Sequence, residues 1–423
     1  MRKTQQSRQI LWWCLFDFAN SIVIVNLVLY FPQWLVVEKG VSEFWYNFVD
    51  VIVTVSLLST LPVLGVISDI VRKKVLFLRL TAIPIAVFTF MIGFFGQTLT
   101  GFPAVVIGLF SFVLIIYFYQ LSLIFYHAML GNLAERERYG TISGIGLAAG
   151  WIGAIVGLLI ILPFVSGNIP FFQPAGRIQA FIPSALIFVV VAGISLTFLK
   201  EPEGINHSNR NQRVSIKQAY KKVWEDFKGA KKVPTILYFL IAYWLFIDAI
   251  LTFQDNLPLY LEIVLKIPDQ QKVLLGVLLS IMLAVGAIII GRLADKFGYK
   301  KLLMAIVGSW IIALAAFLQV SNFLGLAIVI CVIGVLGGGT WTVTRALYTM
   351  IIPATKRGEY FGFYASAERF ASVLGPLIWS GFVVGLRTHG PVRYKIALVS
   401  MMLLIAISLI FLKKMQLRGV NKV

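Results

Sequence analysis

Twelve long apolar runs dominate this chain and restrict its fold more than any other feature. They cover roughly residues 9–37, 47–70, 75–96, 103–131, 141–165, 178–199, 235–262, 272–293, 300–320, 324–352, 360–386 and 393–412. Each is close to or above the ~20 residues that a helix needs to cross a bilayer. The runs are continuous rather than alternating, and lipid leaves only helices or closed barrels as spanning structures. The sequence therefore predicts an all-α polytopic membrane protein with twelve transmembrane helices.

The charged residues are few and unevenly distributed. Only 13% of the residues are charged and 59% are hydrophobic, whereas soluble domains are about a quarter charged. The formal net charge of +19 could indicate nucleic-acid binding, but 28 of the 37 Lys and Arg residues fall on one side of the predicted membrane and 7 on the other. Such a bias marks the cytoplasmic side. We therefore expect both termini in the cytoplasm, a bacterial-type plasma (inner) membrane, basic loops against membrane lipids, and no nucleic-acid partner.

Two basic hairpins, about 226 residues apart, indicate an internal duplication. Gly65-Val66-Ile67-Ser68-Asp69 runs on to Arg72-Lys73-Lys74, and Gly291-Arg292-Leu293-Ala294-Asp295 runs on to Gly298 and Lys300-Lys301. Both resemble the loop motif of the major facilitator superfamily, Gly-x-Leu-Ala-Asp-Arg-x-Gly-Arg-Arg, although Arg72 stands where that motif prefers glycine. We predict gating roles for Asp69, Arg72, Lys73, Asp295, Lys300 and Lys301. Each carboxylate is expected to cap the next helix or to pair with an arginine in the inward-closed state, and a purely topogenic basic loop is the alternative.

Two other sequence pairs repeat in the same order as the hairpins. Trp13-x-x-x-Asp17 recurs as Trp244-x-x-x-Asp248, 231 residues later, and Tyr139-Gly140 recurs as Phe361-Gly362 after 222 residues. Parallel repeats of six helices are a known architecture of transporters. We predict two pseudo-symmetric six-helix bundles, 1–199 and 235–423, joined by a cytoplasmic linker, 200–234, that contains an amphipathic helix.

Several ionisable or polar side chains fall inside the predicted spans. A charge at mid-membrane costs ~2.5–3.5 kcal/mol on insertion scales, so such residues line a wet cavity or pair with one another. Asp17 and Ser21 share a helix face because they are four residues apart, and Asn20 lies beside them. Substrate or proton contacts are predicted for Asp17, Asn20, Ser21, Tyr126, Asp248 and Arg345, with structural ion pairing as the alternative. Glu368, Arg369 and Asp255 are predicted to take part in an internal charge pair.

No catalytic or metal-binding pattern is visible in the sequence. There is no HExxH, no Walker loop, no paired-cysteine site and no catalytic-triad spacing, so an enzyme, a cofactor and a metal are not predicted. The two cysteines, Cys14 and Cys331, both lie in apolar helices, where small packing residues are expected rather than a disulfide.

Several segments resemble the vacuole-effluxer-like family, the autophagy-related vacuolar amino-acid effluxers, within the major facilitator superfamily. Leu15-Phe16-Asp17-Phe18-Ala19-Asn20-Ser21 is similar to the family's Leu-Tyr-Asp-Phe-Ala-Asn-Ser, and Glu359-Tyr360-Phe361-Gly362-Phe363-Tyr364 is similar to Glu-Phe-Phe-Gly-Leu-Tyr. Weaker similarities occur at Phe125–Ala128, Tyr243–Asp248 and Arg345–Leu347. His127 and Ala249 depart from the pattern. The resemblance implies the major facilitator fold and the export or exchange of small solutes, of which amino acids are the best-known class.

Together these patterns predict a secondary active transporter that moves a small polar or zwitterionic solute by alternating access, with a proton as the candidate coupling ion. Asp17 or Asp248 would hold an amino group or a coupling proton, and Arg345 would hold a carboxylate. A monomer is expected. A drug/proton antiporter, a sugar or lipid carrier of the same fold, and a non-transporting membrane receptor or scaffold remain as alternatives.

Overall fold

The computed structural model describes residues 3–41, 43–71, 73–169, 175–201, 234–320 and 322–416. Arg72 and most of the predicted linker, including its amphipathic helix, lie outside these ranges. The described residues form twelve long helices and no strand. They are α1 Lys3–Gln33, α2 Glu43–Val71, α3 Lys74–Thr98, α4 Phe102–Leu133, α5 Tyr139–Val165, α6 Phe181–Phe198, α7 Pro234–Ile263, α8 Asp269–Phe297, α9 Tyr299–Gln319, α10 Phe323–Ile351, α11 Arg357–Gly385 and α12 Val392–Lys414.

The helices match the predicted spans one for one, and eleven of them are long and apolar enough to cross a membrane. The twelfth, α11, is as long as the others but more polar, because it carries Arg357, Glu359, Glu368 and Arg369. Many large apolar side chains point outward, such as Ile312, which is 72% exposed. A lipid environment accounts for such exposure, because every backbone group is already satisfied within its helix and only apolar side chains meet the acyl chains. The chain is a multi-pass membrane protein.

The described residues divide into two compact units. One takes in the described parts of 1–133 and 149–219, and the other those of 134–148 and 220–423. In the first unit, α1 packs on α6, α2 on α4, and α3 on both α4 and α6. In the second, α7 packs on α12, α8 on α10, and α9 on both α10 and α12. The same four pairings recur with each helix number raised by six, so the duplication predicted from sequence is present in the packing.

Glycines allow the closest helix contacts in the second unit. A Cβ built on Gly338 of α10 would stand 2.0 Å from the main-chain oxygen of Leu283 of α8. Small residues at such interfaces let membrane helices approach closely, where van der Waals packing rather than the hydrophobic effect drives association.

Candidate functional site

The polar strip on α1 lies against α4 and α5 within the first unit. Asp17 is only 8% exposed. A Cβ built on Gly150 of α5 would stand 2.8 Å from Asp17 Oδ2 and 3.1 Å from Ser21 Oγ. Asn20 Nδ2 donates to Ser122 Oγ on α4 at 3.0 Å. The structure therefore brings all three predicted residues into one polar contact zone, and the absence of a side chain on Gly150 is what gives the carboxylate and the hydroxyl their place.

Tyr126 lies one turn further along α4, among aromatic rings. Its ring stacks on that of Trp13 with centroids 4.2 Å apart, and Trp13 Nε1 donates to the Tyr126 carbonyl at 3.0 Å. Both side chains are fully buried. Offset aromatic pairs of this kind contribute ~0.5–1.5 kcal/mol beyond their area, so this contact also fixes α1 against α4 beside Asp17.

Asp248 occupies the corresponding position in the second unit. Its side chain is 0% exposed, and its Oδ2 accepts a hydrogen bond from the backbone N–H of Gly375 on α11 at 2.7 Å. Thr252, one turn further along α7, approaches the same glycine. Asp255 lies seven residues beyond Asp248 and is exposed. Of the two predicted acids on α7, only Asp248 is enclosed by other helices.

Arg345 of α10 is 3% exposed and is bound by Ser143 of α5. Its Nε donates to Ser143 Oγ at 2.7 Å, and its Nη2 donates to the Ser143 carbonyl. The Ser143 hydroxyl in turn donates to the Thr342 carbonyl at 2.9 Å. Hydrogen bonds to Ser143 thus help to orient the guanidinium.

An aromatic cluster surrounds Glu368 of α11. Tyr243 of α7 donates to Glu368 Oε2 at 3.2 Å, and its ring stacks on that of Tyr364 with centroids 4.2 Å apart. Trp341 also hydrogen-bonds to Glu368, and the charge of Arg369 acts on it. Glu368 is half-buried. Glu368 therefore has neutral aromatic donors, Tyr243 and Trp341, as partners, which the sequence analysis did not identify. The charge pair stays a prediction.

The α2–α3 hairpin contains a buried ion pair. Lys74 Nζ lies 3.5 Å from Asp69 Oδ1 and both side chains are less than a tenth exposed. Lys74 Nζ also donates to the carbonyl of Ala128 at 3.3 Å, which ties the hairpin to α4. Lys73, which the sequence analysis selected, is exposed. One partner of Asp69 is thus Lys74, the first residue of the next helix.

The α8–α9 hairpin places Asp295 at the start of α5. The Asp295 carboxylate accepts from the backbone N–H groups of Gly140 at 2.7 Å and Thr141 at 2.8 Å. It also accepts from the hydroxyls of Thr141 and Tyr299. We expected Asp295 to cap the following helix or to meet an arginine, and the structure instead shows it capping α5. A carboxylate here satisfies free N–H groups and complements the helix dipole.

The two lysines of the α8–α9 hairpin differ in their contacts. Lys300 Nζ donates to the carbonyls of Lys413 and Met415 at the end of α12, where a cation complements the helix dipole. Lys301 is exposed.

The sequence analysis missed Lys74, Ser143, Thr252 and the two facing glycines, Gly150 and Gly375. Of these, Thr252 could have been found, because its spacing from Asp248 repeats that of Ser21 from Asp17.

Comparison with known proteins relates this geometry to transporters. The family described as "Vacuole effluxer Atg22 like" matches residues 45–420. An uncharacterized MFS-type transporter of Bacillus subtilis, YxiO, is 25% identical over 390 residues, which is 86% of each chain. Autophagy-related protein 22 of Saccharomyces cerevisiae is 24% identical over 216 residues, 47% of this chain. The match takes in only 39% of that yeast protein's length.

A solved structure shows the same fold. The major facilitator superfamily transporter FucP, crystallised in the outward conformation, superimposes with a TM-score of 0.72 at 12% identity, over 97% of this chain and 99% of that one. The predicted major facilitator fold of two pseudo-symmetric six-helix bundles is confirmed. The relatives are transporters rather than enzymes, so this chain is an MFS-type transporter.

Proposed function

The chain belongs to the vacuole effluxer Atg22-like family, and from this premise we propose that it is a secondary active transporter of a small polar or zwitterionic solute. Amino acids are the leading class. The solute binds near mid-membrane and crosses by alternating access, with the two bundles rocking about it. The protein lies in a bacterial-type plasma membrane with both termini on the cytoplasmic side, in keeping with the positive-inside bias.

The observation that carries this proposal is the pair of opposite charges enclosed in the second unit. Asp248 and Arg345 lie on membrane-spanning helices at 0% and 3% exposure, although burial of an ionised group in lipid costs several kcal/mol. A zwitterion presents both charges at once. Arg345 offers a planar fork suited to a carboxylate, and Asp17 or Asp248 holds an amino group or a coupling proton.

The neighbouring polar groups support the same substrate class. Asn20, Ser21 and Tyr126 lie beside Asp17, and each can donate to or accept from a polar solute. Arg345 is held on Ser143 by neutral oxygens. An incoming carboxylate can also accept from this guanidinium, because a carboxylate and an arginine can form two parallel hydrogen bonds. A purely apolar or cationic drug gains nothing from this arginine.

The two hairpins supply the gate in this proposal. The Asp69–Lys74 pair and the Asp295 cap on α5 each fix a hairpin to a helix of its own unit. Lys73, Lys300 and Lys301 belong to the same two hairpins, and we propose that they, together with Arg72, which lies outside the described residues, contribute to the gate. These contacts stabilise one conformation and must be exchanged during the cycle.

The test uses purified protein in liposomes with labelled amino acids and an imposed pH gradient. Asp17→Asn, Asp248→Asn and Arg345→Ala should each reduce uptake, the last by at least tenfold, because a lost charge-assisted contact of ~1.5–3 kcal/mol corresponds to about 10–150-fold. Arg292→Ala serves as the control, because that arginine is exposed on α8. If all three variants take up the labelled amino acids as fast as the wild type, the site assignment is wrong. If no amino acid is taken up by the wild-type protein, the proposed substrate class is wrong.

A further inference from the structure

The two units contain the same local arrangement of an acid, a hydroxyl and a glycine. In the first, Asp17 and Ser21 of α1 face Gly150 of α5. In the second, Asp248 and Thr252 of α7 face Gly375 of α11. The acids and the hydroxyls are each 231 residues apart and the glycines 225 apart. The acid-to-hydroxyl spacing of four residues puts both groups on one helix face, so the arrangement is a three-part element that occurs once in each repeat.

The second copy has two oxygens with unmet hydrogen-bonding capacity. Asp248 Oδ1 and Thr252 Oγ1 are buried and make no hydrogen bond within the described residues, and the two side chains are 0% and 1% exposed. They stand 2.8 Å and 2.2 Å from the same point, a Cβ built on Gly375. They are therefore no more than 5.0 Å apart (2.8 Å plus 2.2 Å). Buried polar atoms without partners are rare in folded proteins and call for an explanation.

The charge of Asp248 is also uncompensated. Among the described residues no charged side chain acts on it, and its Oδ2 has only the Gly375 N–H. The helices packed on α7 are α10, α11 and α12, and their charges are engaged elsewhere. Arg345 of α10 binds Ser143. On α11, Glu368 binds Tyr243, Arg369 acts on Glu368, and Arg357 and Glu359 lie in the first turn. The charges of α12 lie only near its two ends. A bare carboxylate in such a place costs several kcal/mol.

We propose that Asp248 holds a proton on Oδ1 and that this is the coupling-proton site of the transporter. No hydrogen bond joins Oδ1 to Thr252 Oγ1 in this structure, and the threonine oxygen is the acceptor that the proton reaches when the two side chains turn toward each other. A proton meets both needs at once, because it removes the charge and turns the unpartnered Oδ1 into a donor for the unpartnered hydroxyl oxygen. The proton comes from water and returns to it, and no other bond changes. This inference rests on the proposed transport function and assigns one residue to its coupling step.

A sodium ion fits the same position less well. It requires several oxygen ligands, whereas the geometry offers Oδ1 and the threonine hydroxyl. The Gly375 N–H donates to Oδ2 of the same carboxylate, and this single contact offsets only part of the cost of a buried charge.

The arrangement also accounts for coupling to helix movement. In the protonated state, Asp248 accepts the Gly375 N–H, donates to the Thr252 hydroxyl and carries no charge. The contact between α7 and α11 is then stable. Loss of the proton leaves an uncompensated charge between them, which favours separation of the helices and entry of water. Asp17, Ser21 and Gly150 form the equivalent position on α1 and α5.

The experiment is infrared spectroscopy of the full-length protein in lipid nanodiscs without substrate, with aspartate carboxyl carbons isotopically labelled. The wild-type protein at neutral pH should show the carbonyl stretch of a protonated aspartic acid, sensitive to the label. Asp248→Asn should remove that band, and Thr252→Val should shift it to higher frequency because the hydrogen-bond acceptor is lost. Asp255→Asn is the matched control, since that acid is exposed on the same helix, and it should leave the band unchanged.

Three results would overturn the assignment. The band could be absent from the wild-type protein, it could persist in Asp248→Asn, or it could disappear on addition of sodium chloride, which would show a metal ion in the proton's place. If Asp248→Asn does not fold, the shift in Thr252→Val decides the question alone. The infrared measurement needs no substrate, so its result does not depend on whether the transport assay succeeds. If the infrared result contradicts the proton assignment, the transport proposal is not affected.

Discussion

Removal of the Asp295 carboxylate is the most direct way to test the contact between the α8–α9 hairpin and α5. In Asp295→Ala, the backbone N–H groups of Gly140 and Thr141 lose their acceptor, together with two hydroxyl donors. A buried donor left without a partner costs about 1–3 kcal/mol, and a favourable charge at a helix N-terminus is worth ~0.3–1 kcal/mol. Asp295 is half-buried, so water replaces part of the loss, and we expect destabilisation of about 3 kcal/mol.

A second substitution separates hydrogen bonding from charge. Asp295→Asn removes the negative charge and keeps only one acceptor oxygen, whereas the two N–H groups donate to different carboxylate oxygens. One N–H group therefore loses its acceptor, and we expect a loss of about 2 kcal/mol, smaller than that of Asp295→Ala. Arg292→Ala is the control, because it removes an exposed side chain one turn earlier on α8, and it should change stability by less than ~0.5 kcal/mol.

The assay is equilibrium unfolding in mixed micelles, followed by tryptophan fluorescence, with the midpoint and slope measured for each variant. The order of stability should be wild type, then Asp295→Asn, then Asp295→Ala. Equal stability of Asp295→Ala and wild type would refute the reasoning, because it would mean that the first turn of α5 does not depend on this carboxylate. An asparagine variant as unstable as the alanine variant would refute the assignment of most of the effect to hydrogen bonds.

Three further predictions concern close packing, proton binding and the other hairpin. Gly338→Ala forces a Cβ to 2.0 Å from a main-chain oxygen, whereas Gly308 has open space around it, so only the first should lower the yield of folded protein in size-exclusion chromatography. Burial raises the pKa of Glu201 above its ordinary 4.5. The folded state therefore holds that proton more tightly, so wild-type stability should fall as the pH rises from 4.5 through the folded pKa. In thermal melts over the same pH range, the stability of the Glu201→Gln variant should fall less than that of the wild type. Lys74→Gln should cost about 3 kcal/mol because it breaks a buried pair, and adding Asp69→Asn should cost less than the sum of the single changes.

The secondary structure of this protein could be predicted from the sequence because the membrane leaves few alternatives. The predicted span 75–96 appears as α3, Lys74–Thr98, and the predicted span 300–320 appears as α9, Tyr299–Gln319. A long apolar run must form a helix in lipid, because only a helix satisfies its backbone groups internally. Boundaries extend beyond the apolar runs where polar flanks continue the helix, as at the start of α1.

The contacts of the polar residues could be predicted only in part. The spacing of Asp17 and Ser21 correctly indicated a shared face, because a helix fixes that relation locally. Nothing local indicated that the face would meet Gly150, or that Ser143 would hold Arg345. Those partners are more than a hundred residues away in the chain, and a glycine or a serine has no pattern that distinguishes a partner from a packing residue. Whether these residues bind the substrate stays a prediction.

The sequence by itself determined the number of helices, the duplication and the family, since apolar length and repeated motifs are properties of the chain alone. The tertiary structure decided which donor meets which acceptor. Asp295 caps α5, Lys74 rather than Lys73 pairs with Asp69, and Asp248 lies between Thr252 and Gly375. The physical reason is that a hydrogen bond depends on distances of about 3 Å between atoms on different helices, and only the packing of those helices sets such distances.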